Sequence, residues 1–345
     1  MEHTAADKLR TMPKVDLHVH LDGSVRPETL IELARSSGAS LPAWEPDKLA
    51  PYMKVMEQCE SLAEYLEKFH FVGEFLHTAE ALERTAFELV EDASRHHCRY
   101  IEVRFAPQLH RKLGLTAEEA IRHVIAGLRR AEAATGTAAR CIAIALRGHS
   151  EEQNREVMHA AARHYGQGLV AVDLAGAEAA YPPELYEGVF ALARELGLPA
   201  TIHAGEAAGA SSVETAVKRL GAVRIGHGVR MREDSAVAAL VKERRIPLEM
   251  CPISNMQTRA ASDWSSYPLR DYYDQGFLVT VNTDNLTVSN TDITKEYAVL
   301  RDRLGFTDSE LCRIALNGAE AAFLPEPEKS ALIERMRAEL KDWLS

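Results

Sequence analysis

VDLHVHLDG, residues 15–23, alternates Val15, Leu17, Val19 and Leu21 with a second set of positions that includes His18 and His20. Successive strand side chains point to opposite faces, so the two histidines share the face opposite the apolar one, about one imidazole apart. That is metal-chelating spacing. With 14 histidines in 345 residues, about half an H-x-H pair arises by chance, so the pair acquires meaning only from what the chain places beside it. The turn that follows is Asp22-Gly23 rather than G-x-G-x-x-G, and no G-x-x-x-x-G-K-[ST] occurs. Dinucleotide and P-loop readings of a doubly wound sheet therefore fall away.

Working outward, short apolar runs rich in Val and Ile recur between helical patterns, each ending in polar, Gly or Pro residues. They are Lys14–His20, Tyr100–Phe105, Cys141–Leu146, Leu169–Leu174, Pro199–His203, Val223–Gly226, Ile246–Met250 and Leu278–Asn282. Helical patterns follow most of them: Pro27–Ser36, Ala117–Ala133, Pro183–Leu196, Ser212–Leu220 and Ser235–Arg244. Eight strand-helix units predict an α/β fold, a (β/α)8 barrel of the TIM type, with extra helices at the C-terminus. An insertion after the first strand, about residues 39–97, holds the amphipathic segments Ser61–Leu76 and Ala79–Arg95 and would sit over the barrel mouth. With no repeat, low-complexity tract or Gly/Pro/Ser-rich linker, residues 1–345 read as one domain.

A net charge of −11, from 40 Lys and Arg against 51 Asp and Glu, argues against nucleic acid as a partner. No transmembrane-length apolar run occurs, which excludes a membrane-spanning reading. The first residues lack an apolar leader, and the five cysteines (59, 98, 141, 251 and 312) are odd in number and scattered. Both features predict a reducing cytoplasm. Oligomeric state is not encoded in any of these patterns.

In a barrel, catalytic groups come from the C-terminal ends of strands. The first strand ends in His18 and His20, followed by Asp22; the fifth runs into His203 and Glu206; the sixth into His227; the eighth into Asp284 and Asn285. Three imidazoles and a carboxylate (His18, His20, His203, Asp284) make a nitrogen-rich, oxygen-completed site suited to one Zn²⁺ with an open position for water. Glu206 and His227 remain as acid/base groups beside it. The constellation points to metal-assisted hydrolysis. A bridging strand-four lysine, expected of a binuclear site, is absent from VAVDLAGAE (170–178), and no G-x-S-x-G elbow suggests a serine hydrolase.

These residues resemble the adenosine deaminase family of metal-dependent hydrolases. The matching stretches are PKVDLHVHLDGS (13–24), SLAEYLEKF (61–69), YIEVRFAP (100–107), VDLAGAE (172–178), HAGE (203–206), RIGHG (224–228), CPISN (251–255) and VNTDN (281–285), in family order over nearly the whole chain. The resemblance implies hydrolytic deamination of adenosine and 2′-deoxyadenosine in purine salvage, with one zinc held by His18, His20, His203 and Asp284. It further implies that Glu206 protonates purine N1 while an activated water attacks C6, that His227 orients and helps deprotonate this water, and that Asp284 contacts it. Gly176 N–H would meet purine N3, with Asp22 and His20 near the ribose 5′-hydroxyl. Leu62, Tyr65, Leu66 and Phe69 would form a lid, although their spacing is equally that of a core-facing helix. Asn285 stands where many members carry a second aspartate facing purine N7, and its amide can donate to that acceptor at any pH. A modified 6-aminopurine compound or free adenine is the alternative substrate.

Other polar positions take structural readings. Glu102 and Arg104 read as an ion pair inside the barrel. Cys251 reads as a packed thiol, and Ser254 and Asn255 fit either a turn after Pro252 or support for the metal site.

Overall fold

The computed structural model describes residues 5–55, 58–59 and 61–344. Its eight strands are β1 (Lys14–His20), β2 (Cys98–Phe105), β3 (Ala138–Leu146), β4 (Leu169–Ala175), β5 (Thr201–Ala204), β6 (Arg224–His227), β7 (Leu248–Met250) and β8 (Val279–Val281). All ladders are parallel, in the orders β1-β2-β3-β4 and β5-β6-β7-β8. Bridges Val172–Ala200 and Val19–Asp284 join the two sets at both seams. The result is the closed (β/α)8 barrel that the strand pattern predicts. The later strands are shorter than their apolar runs: Ile246 and Pro247 precede β7, and Leu278 precedes β8.

Outward residues of β1 show the barrel logic. Val15, Leu17 and Val19 are buried in the main hydrophobic core beneath the helix ring, while Lys14, Asp16, His18 and His20 are buried polar groups of the alternate face. The helix Asp308–Ala321 packs on this strand so closely that a Cβ on Gly318 would lie 3.0 Å from that of Val15. The helix Ala79–Arg95, opened by a Thr78 cap, joins the outer ring beside Ala117–Thr135. Leu62–Gly73, capped by Ser61, is different. Its Leu62, Tyr65, Leu66 and Phe69 line a cavity at the C-terminal end of the barrel, and Tyr65 packs with Val55, Cys59 and Val288 in a small separate apolar cluster. The Pro183–Leu196 pattern resolves into a short 3₁₀ turn, Pro183–Tyr186, and a helix, Glu187–Glu195.

Glu102 and Arg104 are both fully buried in the barrel, yet they do not pair with one another. Arg104 bonds Asp173 and Glu249, each at 2.8 Å, and Glu102 bonds Arg224 at 2.5 Å. The sequence expectation of a pair within β2 is thus corrected. Inward residues two apart on one strand lie in successive layers, and here they are joined only indirectly, through Arg224 and Glu249 on other strands, which bond each other at 2.6 Å. No helix among the described residues is long and apolar enough to cross a membrane, and all five cysteines are free and buried.

Candidate active site

The C-terminal mouth of the barrel opens into a cavity of about 500 Å³ lined by His20, Asp22, Gly176, His203, Glu206, His227, Asp284 and Asn285, with the Leu62–Gly73 helix along one side. Strand pairing brings together residues as far apart in sequence as His18 and Asp284, whose backbones bond across the β1–β8 seam at 2.8 Å. His227, the last residue of β6, and Asp284, three residues past β8, take positive φ, +65° and +59°. Such backbone costs on the order of 1–3 kcal/mol per residue and is concentrated at functional sites. Gly226 lies between two of the imidazoles: a Cβ there would stand 3.1 Å from His18 Cε1 and 3.3 Å from His203 Cα.

His18, His20, His203 and Asp284 offer ligand atoms that all lie within 4.8 Å of one another. Their far sides are anchored. His18 Nδ1 bonds Glu249 at 2.9 Å, and His203 Nδ1 bonds Asp173 at 3.1 Å, so each donates Nδ1–H to a carboxylate and presents the Nε2 lone pair to the centre. His18 Nε2 is buried with no hydrogen-bond partner, and the Nε2 atoms of His20 and His203 face each other at 3.3 Å. Acceptors converging on one point in a dry site are repulsive unless a cation stands between them. Burial holds His20 and His203 below the usual imidazole range, which keeps them neutral and able to ligate. Asp284 completes the set: its Oδ1 lies 3.3 Å from Nε2 of both His18 and His20, and its Oδ2 accepts Ser254 Oγ–H at 2.5 Å. Donor set, tautomers and charge all fit a divalent cation of the zinc type.

Glu206 is nearly buried, and that burial, with Asp284 and Glu178 nearby, raises its carboxyl well above the usual range. Thr258 Oγ1 donates to its Oε1 at 3.0 Å, leaving Oε2, 3.6 Å from His227 Nε2, as the position for a proton. Asn255 fixes His227 from behind. Its Oδ1 accepts Tyr267 Oη at 2.9 Å and Cys251 N–H at 3.3 Å, so its amide nitrogen faces His227 Nδ1 at 2.9 Å. The imidazole consequently carries its proton on Nε2, toward the cavity.

Of the remaining positions singled out in the sequence, Asp22 borders the cavity with Oδ1 unpartnered, its carboxyl raised by burial to about 6. Gly176, at φ +109°, also lines the cavity. Asn285 packs its Oδ1 so tightly on Gly23 that a Cβ there would approach it to 1.8 Å. One of its two amide N–H groups is held by Tyr65 Oη at 2.8 Å, and Tyr65 Oη also bonds Ser289 Oγ at 2.6 Å. Tyr65 is therefore more than an apolar wall. Ser254 and Asn255 lie in a short α-helix, Pro252–Gln257, where the sequence suggested a turn, and they support Asp284 and His227. Sequence reading missed Asp173, Glu249, Thr258 and Tyr267. For the first two a signal exists, a lone carboxylate inside the apolar runs VAVDLAG (170–176) and IPLEM (246–250).

A closed parallel barrel with three histidines and an aspartate at its C-terminal rim, beside a buried glutamic acid, defines a hydrolase barrel of the metal-dependent class. The family model described as adenosine deaminase matches residues 13–339, and the chain belongs to the adenosine deaminase family. It is a hydrolytic deaminase. The adenosine deaminase of Clostridium perfringens (strain 13 / Type A) is 42% identical over 324 residues, covering 94% of this chain and 98% of that protein. That of Clostridium botulinum (strain Okra / Type B1) is 41% identical over 323 residues, 94% of this chain and 96% of that protein. Among solved structures, the adenine deaminase of Arthrobacter aurescens superposes with a TM-score of 0.87 at 27% identity, over 96% of this chain and 99% of that one. An amidohydrolase of Burkholderia ambifaria with bound Zn superposes at 0.90 and 26% identity, over 100% of this chain and 95% of that one.

Proposed function

We propose that the protein converts adenosine and 2′-deoxyadenosine to inosine and 2′-deoxyinosine with release of ammonia, using one zinc ion held by His18, His20, His203 and Asp284. Bound there, zinc supplies Lewis-acid activation of a water at neutral pH. The observation that carries the reading is Glu206: a buried carboxyl, its Oε1 engaged by Thr258, at the cavity wall beside the four-residue cluster.

An aminopurine ring resists attack at C6 until N1 takes a proton, and a carboxylic acid whose proton is retained at neutral pH can deliver it. Glu206 Oε2 gives that proton to N1. His227, held as the Nε2–H tautomer by Asn255, donates a hydrogen bond that orients the attacking water; the basic role that the resemblance implies would need the other tautomer. Asp284, with Oδ2 committed to Ser254, offers Oδ1 to ion and water. The attacking water gives one proton to the carboxylate left on Glu206 and the other to the amino nitrogen; the C6–N bond breaks, ammonia leaves, the water oxygen remains on C6 and the proton from Glu206 stays on N1. Gly176 N–H meets N3, and Asn285 offers its second amide N–H to N7. The Leu62–Gly73 helix, through Leu62, Tyr65, Leu66 and Phe69, closes the cavity and keeps Glu206 dry.

Asp22 favours a nucleoside over the alternatives. Its unpartnered Oδ1 accepts a ribose 5′-hydroxyl, whereas a 5′-phosphate would meet a like charge and free adenine would leave the atom without a donor. A second reading, deamination of another 6-aminopurine compound, is kept open by the adenine deaminase above and by an Arabidopsis N6-mAMP deaminase of the same fold at 26% identity. The test is the ultraviolet absorbance change on mixing zinc-loaded protein with adenosine. Rapid turnover that Glu206→Gln abolishes supports the assignment. Zinc-replete protein that ignores adenosine but turns over adenine or a 5′-modified adenosine replaces it with the second reading.

A further inference from the structure

Glu178 lies two residues beyond Gly176 and is buried, at 1% exposure. All the hydrogen bonds to its carboxylate come from the segment that carries Glu206. Oε1 accepts Gly205 N–H at 2.7 Å and Ser212 Oγ–H at 2.5 Å. Oε2 accepts the N–H groups of Glu206 at 3.1 Å, Ala207 at 2.7 Å and Ala208 at 2.9 Å. Four consecutive backbone donors thus curl around one carboxylate, the geometry of an anion nest filled from within. Arg230 grips the outer side of the same loop: its backbone N–H bonds Gly205 O and its Nη1 bonds Ala207 O, both at 2.8 Å.

We propose that Glu178 is a positioning residue, which ties the Glu206 loop to the Gly176 turn and thereby sets the spacing between the groups that hold purine N1 and N3. The inference rests on the reading of Glu206 and Gly176 as contacts to the base. By chain connectivity Glu178 belongs to the N3 arm; by hydrogen bonding it belongs to the N1 arm. One rigid side chain therefore fixes two contacts that must engage the same six-membered ring on either side of C2. Backbone N–H groups have no acceptor of their own in this loop, so the carboxylate also decides its conformation. Glutamine in its place keeps the shape but turns an NH₂ toward N–H donors, and aspartate keeps both acceptors while falling a methylene short.

The test uses zinc-loaded wild type, Glu178→Gln and Glu178→Asp, with steady-state kinetics on adenosine, metal content, and backbone hydrogen exchange. Glu178→Gln is expected to hold its metal and to lose about 10²-fold in kcat, since a misplacement near 1 Å costs that much. KM should move far less than kcat, because Glu206 acts on the transition state. Exchange across residues 205–208 should quicken about tenfold or more with the barrel strands unchanged, following loss of local closure, and Glu178→Asp should fall between. Unchanged kcat, or a loss that follows metal release and faster exchange throughout the barrel, overturns the proposal. Should Glu178→Gln fail to fold, Glu178→Asp and Ser212→Ala decide: graded kcat loss at full metal content supports positioning, and unaltered kcat in both defeats it. If wild type leaves adenosine untouched while the loop amides respond to Glu178→Gln, the substrate reading fails and the tether stands. If wild type is active and both loop and kcat ignore the substitution, the positioning role alone fails.

Discussion

Two layers of the barrel interior treat buried carboxylates in opposite ways. In the floor, Glu249 is held well below the usual range despite its burial, because Arg104 and Arg224 both bond it, at 2.8 Å and 2.6 Å. At the mouth, Glu206 is pushed well above that range by burial and by Asp284 and Glu178. Glu249 is the middle residue of β7, and Glu206 lies two residues beyond β5. The floor pairs its charges, so it is a rigid base on which His18 and His203 are set. The mouth leaves its charges mismatched, and mismatched protons and lone pairs are what a cation and a substrate can use. The same element of barrel thus gains stability in one layer and reactivity in the next.

Carboxylate-to-amide changes in the two layers test that contrast, and the largest effect belongs to the mouth. Glu206→Gln removes the acid proposed to reach N1, so kcat should fall about 10³-fold or more, while metal content stays full. Its thermal midpoint at pH 7 should not drop. A carboxyl raised in the folded state loses stability as pH climbs above the unfolded value of 4.5, and glutamine escapes that cost. An unfolding scan in which Glu206→Gln is markedly less stable than wild type would erase the distinction between the layers.

Glu249→Gln should do the reverse. It strips Arg104 and Arg224 of a shared acceptor and His18 of its anchor, so about 3 kcal/mol of stability should go in urea titration, with weaker metal retention. The pH dependence carries the same sign. Glu249 and Asp173 are both depressed in the folded state, below unfolded values of 4.5 and 3.8. Their contribution is full above those values and is lost as acid protonates them, so stability should decline as pH falls below about 4.5. A flat profile down to strong acid would show that the floor is held by packing alone.

Smaller effects sharpen the boundary between the layers. Asn255→Ala frees the ring of His227 and lets either tautomer form; loss of a hydrogen bond worth about 1 kcal/mol should lower kcat by about fivefold with the metal retained. Tyr65→Phe keeps the apolar wall but releases the amide of Asn285, and a few-fold rise in KM is expected from a neutral hydrogen bond of about 0.5–1 kcal/mol. If Tyr65→Phe instead costs as much as Glu206→Gln, the helix Leu62–Gly73 takes part in the chemistry rather than enclosing it.

Much of the mouth was legible in the chain because its residues interrupt strong patterns. His18, His20, His203, His227 and Asp284 lie at or near the ends of apolar runs, and their neighbourhood follows from the rule that barrel strands end at one rim. The floor was not legible in the same way. Arg104 sits two residues from Glu102, so local reading pairs them, whereas closure of the barrel delivers Asp173, Glu249 and Arg224 from strands up to 145 residues away. Glu178 shows the same limit: within VDLAGAE it is one more polar residue after a strand, and its meaning comes from four amides that lie 27 to 30 residues further on.

The sequence by itself determined the number and order of the strands, the residue types at their ends and the class of chemistry, since periodicity and strand-end polarity are local properties of the chain. Tertiary structure decided which tautomer each imidazole takes, which carboxyl is kept as an acid and which as an anion, and which arginine faces which partner. Those outcomes depend on burial and on distances between atoms from different strands, and a Coulomb or hydrogen-bond energy exists only once the closed barrel has set those distances.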